Sequence, residues 1–359
     1  MHRLSLMVWK ILSWGSWMRR SLMRTLRSLV LCHWRSKPSF CELNILNMPE
    51  LPEVETVVRI LNAKIRGAVI RDAWLDWPKM IRDPYNPRHN FLDKRAVANF
   101  KKNIKGKKIL GLRRVGKNVL FDFAGGWTML VHQKMTGHFL VGKWAVRKKN
   151  VLAISPEQMK TDKWNGYIRA VFYLGDPPNQ RSGETGGRML AFSDLRRFGK
   201  MILGPKEVIE ELPDIKALGP DALARDLTSK RFGKILRTQN RAIKTALMDP
   251  KVIAGVGNIY SDEALWRVGV HPERRANSLA SWEHESLHKE LRVILREAIK
   301  KRGTTVGDFR DPDGMAGDYA KSRRVYGFVG RACERCGELI ERKKVNSRSA
   351  HYCPCCQKR

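Results

Sequence analysis

Two groups of residues have types and spacings that chemistry can use. The first is Cys333-x2-Cys336 followed, after sixteen intervening residues, by Cys353-x2-Cys356. Two short thiolate knuckles at that separation close a tetrahedral shell around one zinc ion. With all four positions filled by protein, the site is structural. Cys355 is spare, because its neighbours already complete the pattern. Five of the seven cysteines fall within the last 27 residues, which is a metal-binding distribution in a reducing compartment and not a disulfide framework. Free thiols are the better reading of one such pair but not of two. The stretch between the pairs carries Arg342, Lys343, Lys344 and Arg348, so the finger is expected to face an anion.

The second group is Met48-Pro-Glu-Leu-Pro-Glu-Val-Glu55. As an internal segment, its acids merely complement the positive end of a helix dipole. With Met48 as an initiator that is trimmed away, Pro49 presents a secondary amine. Its pKa of about 7.7–8.0 leaves a neutral, nucleophilic fraction at physiological pH. Attack of such an amine on a sugar C1′ gives a cationic iminium directly, and this electron sink acidifies the C2′ proton for elimination of the 3′ phosphate.

Charge identifies the partner this chemistry needs. Lys and Arg number 69 against 35 Asp and Glu, a net charge of +34. A polyanion relieves that self-repulsion, and each neutralised phosphate releases counterions. Nucleic acid is the expected partner, and a soluble basic protein without a polyanionic ligand is the alternative. An apolar content of 43% is ordinary for a folded soluble chain. The longest apolar stretch, around Leu4 to Met18, is interrupted by Lys10 and is too short to span a membrane.

These groups must be positioned by at least two kinds of element. After Pro52, apolar residues at Val54, Val57, Val58, Leu61 and Ile65 mark one face of a helix. Strand-like runs follow at Lys117 to Phe123, Trp127 to His132, Tyr167 to Leu174 and Arg188 to Phe192. Polar loops such as Asp176 to Gly187 are expected to project into solvent. From about Lys206 the pattern turns helical: Arg241 to Met248, Ile259 to Arg267 after the Gly255-Val-Gly257 turn, and Ser281 to Lys301 with Gly303 as C-cap. Asp308 to Arg324 reads as a mobile polar loop. Residues 1–47 stand apart, with four tryptophans, eight Lys or Arg and one acid. They are expected to be a cleaved leader or untranslated upstream sequence, outside the fold.

Here a resemblance becomes specific. Pro49-Glu-Leu-Pro-Glu-Val-Glu55 resembles the N-terminus of formamidopyrimidine-DNA glycosylases, and further segments match in order and spacing. Arg114-Val-Gly-Lys-Asn-Val-Leu-Phe121 resembles the strand carrying the family's catalytic-site lysine, here Lys117. His132-Gln-Lys-Met-Thr-Gly137 resembles the loop with a wedge methionine, Met135. Asp194-Leu-Arg-Arg-Phe-Gly199 resembles the loop that fills the gap left by a flipped base, with Arg196 and Phe198. Gly255-Val-Gly-Asn-Ile-Tyr260 resembles the helix-two-turns-helix signature, with Asn258 on phosphate. Arg348 stands five residues before Cys353, where the family's finger places a phosphate-binding arginine. The resemblance covers Met48 to Arg359.

It implies an α+β multidomain protein: a catalytic β-sandwich with a leading helix over 48–205, a helix-two-turns-helix domain with a lesion-side loop over 206–324, and a four-cysteine zinc finger over 325–359. It also implies a bacterial, cytoplasmic, monomeric enzyme acting on double-stranded DNA that contains oxidised bases or abasic sites. Such an enzyme excises 8-oxoguanine and formamidopyrimidines with β,δ-elimination. Pro49 is then the nucleophile, Glu50 the general acid, and Glu53 an anchor of the active-site geometry. The apolar wedges Met135 and Phe198 replace lost stacking, while Arg196 offers donors to the estranged base. Two alternatives stand beside this reading. One is an endonuclease VIII-type pyrimidine glycosylase, against which Leu51 argues because that branch usually has glycine there. The other is a catalytically inactive damage binder. Departures from the family pattern are Phe328 after Tyr326-Gly327, Ala350 after Arg348, and longer loops at Val146 to Lys163 and Asp176 to Gly187.

Overall fold

The computed structural model describes residues 48–87, 92–147, 150–175 and 187–359. The expectations for 1–47, and nearly all of the loop expected at 176–187, lie outside the described residues. Helix α1 (Leu51–Ile65) begins as the sequence suggests, with Pro52 in its first turn and Glu50 at its N-cap. Glu53 Oε2 accepts from the Glu50 backbone N–H at 2.9 Å, satisfying one donor that the helix start leaves free. Val54, Val57, Leu61 and Ile65 are at most 1% exposed, so the apolar face is core.

Around α1 stand strands β1 (Val69–Leu75) and β2 (Ile81–Arg82), helix α2 (Lys94–Ile104), and strands β3 (Ile109–Val115), β4 (Asn118–Phe123), β5 (Trp127–His132), β6 (His138–Arg147) and β7 (Asn150–Ser155). The short helix α3 (Gln158–Thr161) precedes strands β8 (Ile168–Gly175), β9 (Met189–Ser193) and β10 (Lys200–Pro205). Two five-stranded sheets result, ordered β1-β8-β9-β6-β7 and β2-β10-β5-β4-β3. Pairing is antiparallel except between β10 and β2. The near-continuous apolar character of β4 and β5 has a physical source. Val119, Phe121, Met129 and Val131 face the inter-sheet core, while Leu120 and Leu130 pack with Ile202, Ile209 and Leu212 on the other side.

The helical half comprises α4 (Lys206–Glu210), α5 (Pro213–Lys216), α6 (Ser229–Arg237), α7 (Ile243–Met248), α8 (Asn258–Val268) and α9 (Ser281–Lys300). The finger is the hairpin β11 (Glu341–Val345) and β12 (Arg348–Tyr352) with its flanking knuckles.

Three expectations need correction. Lys117 is not the first residue of a strand. Gly116 (φ +59°) and Lys117 form the turn between β3 and β4, and the alternating run begins at Asn118. The region from Val146 to Lys163 is not simply a loop, since all of β7 and α3 lie within it. Asp308 to Arg324 is packed and not a solvated polar loop. Phe309 belongs to the sandwich core, Asp311 is 0% exposed, and the Val141 N–H donates to Pro312 O at 2.9 Å. Asp311 accepts from the Asp313 and Met315 amides and pairs with Arg302 at 2.6 Å, while Asp308 Oδ2 and Tyr319 Oη are buried without a hydrogen-bond partner among the described residues. Hydrophobic periodicity carries no trace of such an arrangement.

Candidate active site and nucleic-acid interface

The N-terminus of α1 meets the N-terminus of α8, and one carboxylate joins them. Glu50 Oε1 accepts from the Ile259 N–H at 2.9 Å, and the Leu51 N–H donates to Gly255 O at 3.1 Å. The two glycines of the Gly255-Val-Gly257 turn are explained by this approach. A Cβ on Gly257 would lie 2.2 Å from the Glu50 carboxyl carbon, and one on Gly255 would lie 2.6 Å from a Leu51 methyl. Gly255 also holds φ at +101°, which only glycine adopts readily.

Glu50 is 3% exposed and its Oε2 has no partner among the described residues. Burial raises its pKa from 4.5 to about 7; Lys117 opposes the rise and Glu53 adds to it. Glu53 is more fully engaged. Its Oε1 accepts from Tyr260 Oη and from the Thr304 N–H, each at 2.6 Å, and Tyr260 Oη lies 2.9 Å from Thr304 Oγ1. One carboxylate thus fastens α1, α8 and the segment after α9, where Gly303 leaves room for it. Pro49 is itself buried beside this pair.

Lys117 reaches the same neighbourhood from the β3–β4 turn. Its ammonium makes no ion pair among the described residues, yet it feels Glu50, Glu53 and Arg348. Burial pushes its pKa down, the two glutamates pull it back up, and Arg348 pushes it down again. The turn is braced by Arg114, which bonds to Asp221 through both terminal nitrogens (the longer contact 3.1 Å), to Glu55 at 3.0 Å and to Gly116 O at 3.0 Å. Read alone, Arg114 is a surface charge; here it ties the turn to α1 and to the helical half.

The three residues expected to occupy a gap in DNA come together. Arg196 Nη1 lies 3.1 Å from Met135 Sδ, and its guanidinium stacks 4.7 Å from the Phe198 ring centroid. Phe198 is 50% exposed. Their two loops are joined beneath: Thr136 Oγ1 donates to Asp194 Oδ1 and accepts from the Arg196 N–H at 2.9 Å, while Gly199 N–H donates to Asp194 Oδ2 at 2.8 Å. Sequence reasoning named the tips and missed this Thr136–Asp194 brace.

Asn258 is the first residue of α8. Its Nδ2 donates to Tyr326 Oη at 3.3 Å, and its Oδ1 is buried without a partner. Arg348 opens β12, exposed and without an ion pair among the described residues. Lys343, in contrast, is bound to Glu273 at 2.9 Å and is not a free cation of the finger. A buried trio fixes the finger's position and escaped the sequence reading. Asp262 on α8 pairs with Lys244 on α7 through one oxygen. Through the other it accepts from the His351 N–H at 2.8 Å and meets His351 Nδ1 at 3.1 Å. Glu263 adds three backbone bonds, from Arg324, Val325 and Tyr326, at 2.8–3.0 Å.

The cysteine sulfurs of 333, 336, 353 and 356 lie within 4.8 Å of one another. Cys336 and Cys353 are 3.4 Å apart, and Cys333 and Cys356 3.9 Å. A metal held by four thiolates at ~2.3 Å places its sulfurs about 3.8 Å apart, so the cluster fits one structural ion. Trp266 Nε1 donates to Cys333 Sγ at 3.4 Å, linking the cluster to α8. Cys355 is exposed and outside the group.

Comparison with known proteins places this geometry in context. The model for the formamidopyrimidine-DNA glycosylase N-terminal domain matches residues 48–201, that for the formamidopyrimidine-DNA glycosylase H2TH domain matches 218–310, and the zinc finger found in FPG and IleRS matches 330–359. A formamidopyrimidine-DNA glycosylase of Pelotomaculum thermopropionicum is 39% identical over 316 residues, spanning 87% of this chain and 99% of that protein. One from Lactiplantibacillus plantarum is 36% identical over 307 residues, spanning 86% and 98%. Among solved structures, Lactococcus lactis Fpg in complex with an abasic site containing DNA superposes with a TM-score of 0.70 at 28% identity, covering 86% of this chain and all 100% of that one. The same bacterium's wild-type protein with an oxidized pyrimidine containing DNA gives 0.69 at 30% identity, covering 87% and 100%. No helix among the described residues is long and apolar enough to cross a membrane.

Proposed function

Because the chain belongs to the formamidopyrimidine-DNA glycosylase family, DNA glycosylases of base excision repair, we propose that it excises oxidised purines, 8-oxoguanine and formamidopyrimidines, and nicks the strand by β,δ-elimination with Pro49 as nucleophile. The observation that carries this reading is the junction of α1 and α8. Pro49 adjoins a buried carboxyl whose pKa is about 7, facing the lysine of the β3–β4 turn. The Pro49 amine attacks the sugar C1′ and the base leaves. Glu50, carrying a proton near neutral pH on a carboxyl with one uncommitted oxygen, protonates the deoxyribose ring oxygen as it opens. Glu53 holds the helix starts. Lys117, Asn258 and Arg348 take backbone phosphates, and Met135, Arg196 and Phe198 fill the space of the flipped nucleotide. The four cysteines hold one zinc, whose role is to shape the finger that presents Arg348. The domains are read as 48–205, 206–324 and 325–359, working as a monomer in the bacterial cytoplasm on nucleoid DNA.

Pro49 can be a nucleophile only as a chain terminus. With Met48 attached its nitrogen is an amide, whose lone pair is delocalised into the carbonyl. The deciding experiment is borohydride trapping on 8-oxoguanine duplex. The chain beginning at Pro49 is expected to form a covalent adduct, and the intact 359-residue chain is expected to form none. Equal trapping by both would remove Pro49 from the mechanism and turn attention to Lys117. Lesion class has its own test. A Lactococcus lactis relative has been solved with oxidized pyrimidine containing DNA, so excision should be compared on 8-oxoguanine and thymine glycol duplexes, with 8-oxoguanine expected to be cut faster.

A further inference from the structure

Between residues 94 and 108 the chain carries seven Lys or Arg and no acid. Lys101, Lys102, Lys105 and Lys108 are exposed, and none forms an ion pair among the described residues. Lys107, half-buried, lies over the Trp127 ring at 4.4 Å. Lys101 and Lys102 sit in the last turn of α2, where they complement the helix dipole. That account stops at Ile104, whereas Lys105, Lys107 and Lys108 follow in the turn and bridge beyond it.

The location of this patch separates it from the catalytic junction. Residues 107–110 bond to the chain at the C-terminal end of α1. Gly67 N–H donates to Ile109 O at 2.8 Å, Ile70 N–H to Lys107 O at 2.9 Å, and Arg66 Nε to Leu110 O at 3.0 Å. Glu50 and Glu53 sit at the opposite, N-terminal end. The helix between them has 15 residues, about 22 Å at 1.5 Å per residue, so more than two Debye lengths at physiological salt lie between patch and site.

We propose that this basic surface at the far end of the sandwich is a second binding site for duplex DNA, taking the phosphate backbone of a segment other than the one in the catalytic site. Exposed cations of one sign, unpaired among the described residues, fit a sequence-independent polyanion held by counterion release. The partner is DNA because the family acts on it. The inference does not depend on the chemistry proposed at Pro49.

The test uses the full chain and short undamaged duplexes carrying two different labels. The unsubstituted protein, with one duplex immobilised, is expected to capture the second in a 1:2 complex confirmed by sedimentation. The combined variant Lys101→Gln, Lys102→Gln, Lys105→Gln, Lys108→Gln should bind one duplex normally and lose at least ten-fold in affinity for the second. The four-fold Lys→Arg variant should keep it. The salt slope of the second binding step should fall by about 0.9 for each lysine that neutralises a phosphate. Strict 1:1 binding by the unsubstituted chain, or unaltered capture by the Gln variant, overturns the proposal. A Gln variant with a lowered melting temperature is replaced by the Lys105→Gln, Lys108→Gln pair, judged by the same criteria.

Discussion

Glu50 is the side chain through which burial acts most directly on the proposed chemistry. Its pKa is raised from 4.5 to about 7, so the folded chain holds this proton more tightly than the unfolded chain does. The linked contribution to stability is full below about 4.5 and is lost as pH rises through about 7. If Glu50 is the acid and the Pro49 amine the nucleophile, excision in single turnovers is nearly flat between about 7 and 8 and falls roughly ten-fold per pH unit above the amine's pKa of about 7.7–8.0. Glu50→Gln should flatten that limb at a much lower rate, with a melting temperature at pH 8 no lower than that of the unsubstituted chain. A retained limb in the variant would assign the ionisation elsewhere. Phe198 poses a different question, because an aromatic in a sequence is more often core than wedge. At 50% exposure its truncation is expected to cost stability within about 0.5 kcal/mol. Phe198→Ala should still slow excision from duplex more than cleavage at a preformed abasic site. Marked destabilisation in thermal melts would return Phe198 to the core.

Among the elements, α8 does the most to connect parts distant in sequence. Its N-terminus receives Glu50, its first turns carry Tyr260 to Glu53 and Asp262 to Lys244 and His351, and its last turn offers Trp266 to the cysteine cluster. Two substitutions probe this. Gly257→Ala drives a methyl into the Glu50 carboxyl, so a loss of about 1–3 kcal/mol is expected, with excision abolished because the acid is displaced. Asp262→Ala leaves Lys244 and His351, 1% and 2% exposed, with an uncompensated buried charge. Its cost is about 3–5 kcal/mol, and DNA binding should weaken with it because the finger loses its seat on α8. An Asp262→Ala protein that melts normally would show that the trio adds no cohesion.

For the whole molecule, a net charge of +34 favours a polyanionic partner, and on the proposed reading the finger sets part of its aim. One zinc per chain is expected by elemental analysis. Cys336→Ser should lower binding and nicking together, because the hairpin carrying Arg348 loses its shape; full activity in a metal-free preparation would contradict this. Arg348→Ala should weaken lesion binding and flatten the salt slope by roughly one unit, and an unchanged slope would take Arg348 off the phosphates.

What the sequence determined by itself was whatever is encoded in short range. The amphipathic face of α1 and the four-cysteine spacing are local patterns, and each stands where the pattern put it, whereas Met135, Arg196 and Phe198 are expected as loop tips only through the resemblance. Tertiary structure alone decided the rest. That Glu53 would be gripped by Tyr260 and Thr304, or Asp262 shared between Lys244 and His351, depends on residues brought together from up to 251 positions apart, and no periodicity records such pairings. The same holds for Asp308 to Arg324, whose polar composition reads as solvated loop. Asp311 and Asp313 are held within the packed structure because Arg302 and Lys64 come to meet them. The elevated pKa of Glu50 is of this kind too: a glutamate after a proline is ordinary, and only the closure of α8 over it excludes the water that would keep it ionised.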